Sequence, residues 1–350
     1  MDRLAVELLT QIFFYACTDG GQTGCALSLV SKGIRDTSRS ARFHSVALYS
    51  SPAKIERFLR AYERERVQAV DILPRVRHLW LSYDECNEGQ PTGMPPPASA
   101  MPASRAEYLA LLQRRTQSWR SAQEHLDEQY SRVIPSLICT VAPDLHTLVI
   151  NQARWRTTSV VQCRFPLLQE LTLIGGDPSF LPFNAVQDDK PVYPALRRLH
   201  HILTPVCKDV NFLNWPRHAP LVTHLRVSRL DFSPRSTVET FEHVISDAST
   251  AGAFSRLQCV LVLPHPAPPP TSQSSHASFT QFLEYLHALP QRSRAPMTVL
   301  PPLNKRRPHQ GVDAPRDCII HIRELWIERI DGGPGCWADA LPDRPRSRYC

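Results

Sequence analysis

Apolar positions along the chain fall into two periods, one helical and one strand-like. Leu4, Leu8, Leu9, Ile12, Phe13 and Ala16 recur at helical spacing and predict a short amphipathic helix, closed by the turn residues Asp19, Gly20 and Gly21. A second helical stretch, CALSLVSKGIRD, places Leu27, Val30 and Ile34 at i, i+3 and i+7. Ser51 and Pro52 form an N-cap and first-turn pair, predicting a helix to about Val70 with Ile55, Phe58, Leu59 and Tyr62 on one face. Two capping boxes, Ser104 with Glu107 and Ser236 with Glu239, predict helices over 104–133 and 236–248. Phe279, Phe282, Leu283 and Leu286 mark one more.

The second period is a recurring apolar-x-x-apolar-x-apolar segment. It reads VRHLWL (76–81), LHTLVI (145–150), LQELTL (168–173), VTHLRV (222–227), LQCVLV (257–262) and IRELWI (322–327), while LRRLHH (196–201) keeps only the first two apolar positions. A proline stands two residues before the first apolar position in five of the seven: Pro74, Pro143, Pro166, Pro194 and Pro220. That shared offset separates the pattern from chance matches. Starts are 69, 23, 28, 26, 35 and 65 residues apart, so the central steps approach the roughly 20–29-residue period of leucine-rich repeats. The long steps hold Pro-rich insertions at 87–103 and 264–277, expected to be disordered loops.

One such segment is a short strand with one apolar face and cannot bury that face alone. Stacked in parallel, with connecting segments returning over one side, the copies share a continuous core. Proline fixes φ just before each strand and sets its start. The predicted fold is therefore α/β, an irregular repeat solenoid of short parallel strands with outer helices. The competing architecture is a doubly wound α/β domain whose buried strands resemble the repeat.

Composition narrows the function. There are 32 Pro against 13 Gly, and 35 of 40 basic residues are Arg, giving a net charge of +7. Ten cysteines lie at least eight residues apart, which excludes Cys-x-x-Cys zinc knuckles and reads as buried thiols in a reducing compartment. No window reaches 18 apolar residues, and Glu7, Thr10 and Gln11 interrupt what would be a signal-peptide core, so neither membrane nor secretion is expected. His218 and His224 lack a zincin spacing, and no nucleophile elbow or P-loop occurs. No catalytic residue, metal or cofactor is expected. Arginines are spread among 33 acidic residues, so nucleic-acid binding is only a remote alternative; Asn304–Arg307 is the densest basic run.

Residues 4–48, LAVELLTQIFFYAC and then TGCALSLVSKGIRDTSRSARFHSVAL, resemble the F-box. Ala5 stands where that family commonly has proline and Ile34 where many members have tryptophan. With degenerate leucine-rich repeats following, the arrangement resembles the F-box proteins of mushroom-forming fungi. The resemblance implies a non-catalytic substrate receptor of an SCF-type (cullin-RING) ubiquitin ligase, cytoplasmic or nuclear. A Skp-family adaptor would bind Leu4, Val6, Glu7, Leu8, Ile12, Phe13, Leu29, Val30 and Ile34, and would bring cullin and RING subunits, with some of these side chains forming the internal core instead. An interaction scaffold without adaptor binding is the alternative.

The expected organisation is a helical unit at 1–48, a linking helix at 49–71, the repeat region at 72–330 and a tail at 331–350. On the concave strand face, an unidentified protein substrate would meet His78, Trp80, Arg198, His200, His224, Arg226, Glu324 and Trp326. The two tryptophans are candidate anchors. The Arg/His cluster points to an acidic or phosphorylated peptide.

Overall fold

The computed structural model describes residues 4–69, 72–83, 104–151, 161–177, 190–204, 210–246, 254–268, 273–302 and 314–340. The elements run α1 (Val6–Ala16), α2 (Gln22–Val30), α3 (Lys32–Thr37), β1 (Ser45–Ser50), α4 (Pro52–Gln68), β2 (His78–Tyr83), α5 (Arg105–Val141) and β3 (Thr147–Asn151). They continue with β4 (Glu170–Ile174), β5 (Arg198–Ile202), α6 (Trp215–His218), β6 (His224–Leu230), α7 (Arg235–Ser246), β7 (Cys259–Pro264), α8 (Gln273–Ala288), β8 (Met297–Val299) and α9 (Ala314–Ile330).

All eight strands are parallel, and their order across the sheet is their order in the chain. A doubly wound sheet reverses strand order at a switch point. This one never does, so the competing architecture is excluded. Five strands, β2 to β6, each begin four residues after Pro74, Pro143, Pro166, Pro194 or Pro220, as expected if proline sets the start. Equivalent motif positions lie in register: Leu79, Leu148, Leu171, Leu199, Leu225 and Val260 pair in one row, and Leu81, Ile150, Leu173, His201, Val227 and Val262 in another. Both rows face the main core, with Ile55, Leu59 and Tyr62 of α4 and Tyr130, Ile134 and Leu137 of α5 packed against them. His201 takes the apolar place that LRRLHH lacks. It is buried edge-on against Phe212 and Trp215, 3.9 Å from Asp177 Oδ1.

Several expectations need correction. The stretch 25–36 is broken at Ser31, whose hydroxyl accepts the Ile34 N–H and caps α3. The Ser104–Glu107 capping box forms, but α5 runs on through Pro135 to Val141. Ser236 does not cap α7; it lies inside the first turn, and Glu239 pairs with Arg235 instead. The second Pro-rich insertion is shorter than expected, because β7 reaches Pro264 and α8 begins at Gln273. The first lies outside the described residues, as does Asn304–Arg307. Of the described cysteines, Cys17 is buried while Cys25 and Cys139 are exposed. Among the described residues no helix is long and apolar enough to cross a membrane.

The largest correction is IRELWI. It forms part of α9, not a strand, and α9 with the following 3-10 turn, Gly335–Ala340, lies across the second face of the sheet. A strand puts residues i and i+2 on one face; a helix turns them about 200° apart. Thus Trp326 is buried with Ile322 against the sheet, whereas Glu324 is exposed and pairs with His321 at 3.5 Å.

α1, α2 and α3 form a small helical unit on the β1 end, with Leu9, Phe13, Cys17 and Ala41 as its core. Gly24 permits its closest approach: a Cβ there would stand 2.4 Å from the Arg42 carbonyl oxygen. Gly24→Ala is therefore expected to destabilise this unit by about 2 kcal/mol, read as a lower thermal midpoint. An unchanged midpoint would contradict the packing.

Candidate functional site

Two surfaces gather the candidate residues. On the helical unit, Leu8, Ile12 and Tyr15 follow one another at helical spacing along one side of α1, Leu4 stands just before the helix, and all four are exposed, Leu8 and Ile12 at 50% each. Val6, Leu29 and Val30 are exposed as well, and so is Glu7. Phe13 is not: it is buried in the unit's own core, and Ile34 packs half-buried against that core. The division follows α1's two faces. Leu9 and Phe13, four apart, point inward; the stripe beginning at Leu8 points to solvent.

The second surface is the strand face opposite the main core. Its rows read His78, Thr147, Glu170, Arg198, His224 and then Trp80, Val149, Thr172, His200, Arg226. The chain itself covers much of this face. Trp80 is fully buried, edge-on to Trp326 with ring centroids 5.8 Å apart, and Trp326 Nε1 donates to Thr147 Oγ1 at 3.3 Å. Arg329 donates to Glu170 Oε1 at 2.5 Å, beside Arg198, which reaches the same oxygen at 2.8 Å. Trp337 lies edge-on to both His200 and His224. Arg226, 2% exposed, pairs with Asp339 Oδ2 at 3.1 Å and donates to the Cys336 carbonyl.

The expectation of an open concave face is thereby corrected. Trp80, His200 and Arg226 are buried beneath α9 and the 3-10 turn, Trp326 is buried on the sheet-facing side of α9, and His78 is held by Thr147 Oγ1 at 2.9 Å. Its chemistry is nevertheless that of a polar surface. Trp80 Nε1, His200 Nδ1, Arg198 Nε and Asp339 Oδ1 are buried without hydrogen-bond partners, a condition interiors normally avoid. Burial, reinforced by neighbouring positive charge, holds the imidazoles neutral. The His44 pKa is lowered to about 4 and that of His78 to about 3, and His200, next to Arg226, is lowered well below its ordinary value.

A third feature lies outside the residues that the strand pattern singles out. The residues just before β4 to β7, namely Gln169, Arg197, Thr223 and Gln258, are linked by backbone hydrogen bonds of 2.8–3.0 Å from coil to coil. With Arg198, His224 and Arg256 they line an open cavity of about 680 Å³. Motif position two, immediately before each strand, would have pointed to it. Among the described residues no group of three or more His, Cys, Asp or Glu side chains is placed to hold a metal ion. No protein-family model, no curated protein and no solved structure matches the chain.

Proposed function

We propose that the chain is the substrate-recognition subunit of an SCF-type ubiquitin ligase, with the helical unit as an F-box that binds a Skp-family adaptor. The observation that carries this reading is the exposed apolar stripe on α1, together with the exposed Leu29 and Val30 at the end of α2. A unit this small gains nothing from leaving such side chains in water unless a partner covers them. Leu4, Val6, Leu8, Ile12, Leu29 and Val30, all exposed, are among the residues for which the F-box resemblance implies adaptor contact; Tyr15 is not among them.

In this reading the parallel sheet is an irregular leucine-rich-repeat solenoid. The constant proline offset and the in-register rows support that finer description. The sheet region holds the protein to be modified. Cullin and RING subunits recruited through the adaptor carry out transfer, and this chain contributes proximity.

Co-purification with the adaptor tests the proposal. Leu8→Asp with Ile12→Asp is expected to lower adaptor recovery more than tenfold without unfolding the chain, since both side chains are half exposed. Absence of the adaptor from the intact chain, or equal recovery with the variant, sinks the ligase reading and leaves the scaffold alternative.

A further inference from the structure

The cavity at the amino edge of β4 to β7 is lined by three arginines and by no carboxylate. Several arginines elsewhere on the surface are ion-paired: Arg39 and Arg42 at Glu65, Arg60 at Glu56, Arg132 at Glu128, Arg235 at Glu239 and Arg292 at Glu242. Here Arg197 and Arg256 are exposed, and no ion pair or hydrogen bond engages their guanidinium groups among the described residues. Arg198 shares its one carboxylate, Glu170, with Arg329, and its Nε is buried without a partner. Three arginines thus line one concavity whose lining carries no carboxylate. The lowered pKa of His224, caused first by burial and then by Arg198, agrees with that local field.

Planar guanidinium forks match the oxygens of a phosphoryl group in geometry and in charge. The Thr223 hydroxyl, held between the Arg197 carbonyl at 3.1 Å and His224 Nδ1 at 2.9 Å, fixes the wall between β5 and β6. Leu221 and Leu257 supply apolar surface beside the arginines, which suits a side chain carrying the anion. A nucleic-acid backbone would need a continuous track of unpaired cations, because its affinity accumulates phosphate by phosphate. Along the same edge Arg75 is engaged by Asp144 at 3.5 Å, and the positions between Arg77 and Arg197 are His146, whose pKa is lowered chiefly by burial, and Gln169, so the row of cations is interrupted.

We infer that this cavity binds a phosphoryl group carried on a protein segment, with Arg197, Arg198 and Arg256 as its ligands. The inference deepens the proposed receptor function and depends on it only for the role of that segment as substrate. It also moves the anion site from the covered inner face, where Arg226 is already neutralised by Asp339, to the open strand edge.

The test uses the full chain and a library of nine-residue peptides with a central phosphoserine, against the same library with serine. Phosphopeptides are expected to bind, serine peptides at least tenfold more weakly, and Arg197→Glu with Arg256→Glu to abolish the difference. An unchanged thermal midpoint and unchanged adaptor recovery would show that the variant remains folded. No discrimination between the libraries, or discrimination that survives the double variant, overturns the inference. Inorganic phosphate binding as tightly as the peptides would overturn the protein-borne ligand, and preference for single-stranded DNA would assign the cavity to nucleic acid. Phosphopeptide binding without adaptor recovery leaves the site standing and removes the ligase reading; adaptor recovery without phosphopeptide binding does the reverse.

Discussion

Asp339→Ala is expected to release the C-terminal 3-10 turn from the sheet. Arg226 is 2% exposed in the middle of β6, and Asp339 is the one carboxylate that meets it among the described residues. Removing one partner of a buried ion pair costs about 3–5 kcal/mol, because the remaining charge stays desolvated. The sheet cannot expel Arg226, but the turn can lift away and let water reach it. The loss should therefore appear as local opening. Amide exchange across Gly335–Ala340 should accelerate at least tenfold, and chymotryptic cleavage at Trp337 should become fast, while amides of β2 to β5 stay protected. Pairing Arg226→Met with Asp339→Leu should restore protection, since an apolar pair fills the same space without desolvating charge. Equal exchange in Asp339→Ala and the parent chain would show that the pair does not hold the turn.

Acidification from pH 7 to pH 5 is expected to destabilise the protein by about 5 kcal/mol. Burial lowers the pKa of His44 to about 4 and those of His78 and His201 to about 3, and lowers that of His200 well below its ordinary value. Neighbouring positive groups add to this: Arg77 and His146 at His44, the same two with His44 and Arg329 at His78, and Arg226 with His201 at His200. A depressed imidazole pKa favours folding above about pH 6.5. As pH falls below that, the unfolded chain takes up protons that the folded chain refuses, until the folded-state values are reached.

Asp177 works in the opposite direction. Its pKa is raised to about 7, chiefly by burial, so between about 7 and 3.8 the folded chain holds a proton that the unfolded chain has lost. Four histidines less one carboxyl leave a difference of about three protons, worth up to about 4 kcal/mol per pH unit. His44 remains partly hydrated and contributes less than a full share. From pH 7 to pH 5 the balance comes to about 5 kcal/mol, because the unfolded imidazoles take up protons only below about pH 6.5; that equals the whole stability of a protein at the lower end of the usual range of about 5–15 kcal/mol. Urea midpoints at pH 7, 6 and 5 provide the measurement. A constant midpoint would mean that these imidazoles are hydrated in the folded chain.

Much of the sheet was legible because its determinants are local. A proline, an offset and two inward apolar positions specify each of β2 to β6 within ten residues. β1 satisfies the same rule through Phe43, Val46 and Leu48 but lacks the proline; β8, with Arg294 in the first apolar place, barely carries the pattern. IRELWI met the strand template and failed one test, since Ile320 stands where the proline would be. The helical spacing of Ile319, Ile322, Trp326 and Ile330 was the better guide to what it packs against.

The covered face depends on contacts no local pattern encodes. Arg226 and Asp339 are 113 positions apart, and Trp326 reaches Thr147 across 179. Periodicity identifies which side chains leave a strand on a given side. Whether water or another part of the chain meets them is decided elsewhere in the sequence.

The strand order has a consequence for how the molecule comes apart. In a stack where each coil touches only its sequence neighbours, coils can detach one at a time from an end, and unfolding spreads as it would along a row of separate links. The C-terminal segment breaks that independence. By joining β2 and β3 through Trp326, β4 through Arg329 and β6 through Asp339, it acts as a tie-bar across the row. The central strands then share their fate, and the sheet acquires the all-or-none cooperativity of a single globule.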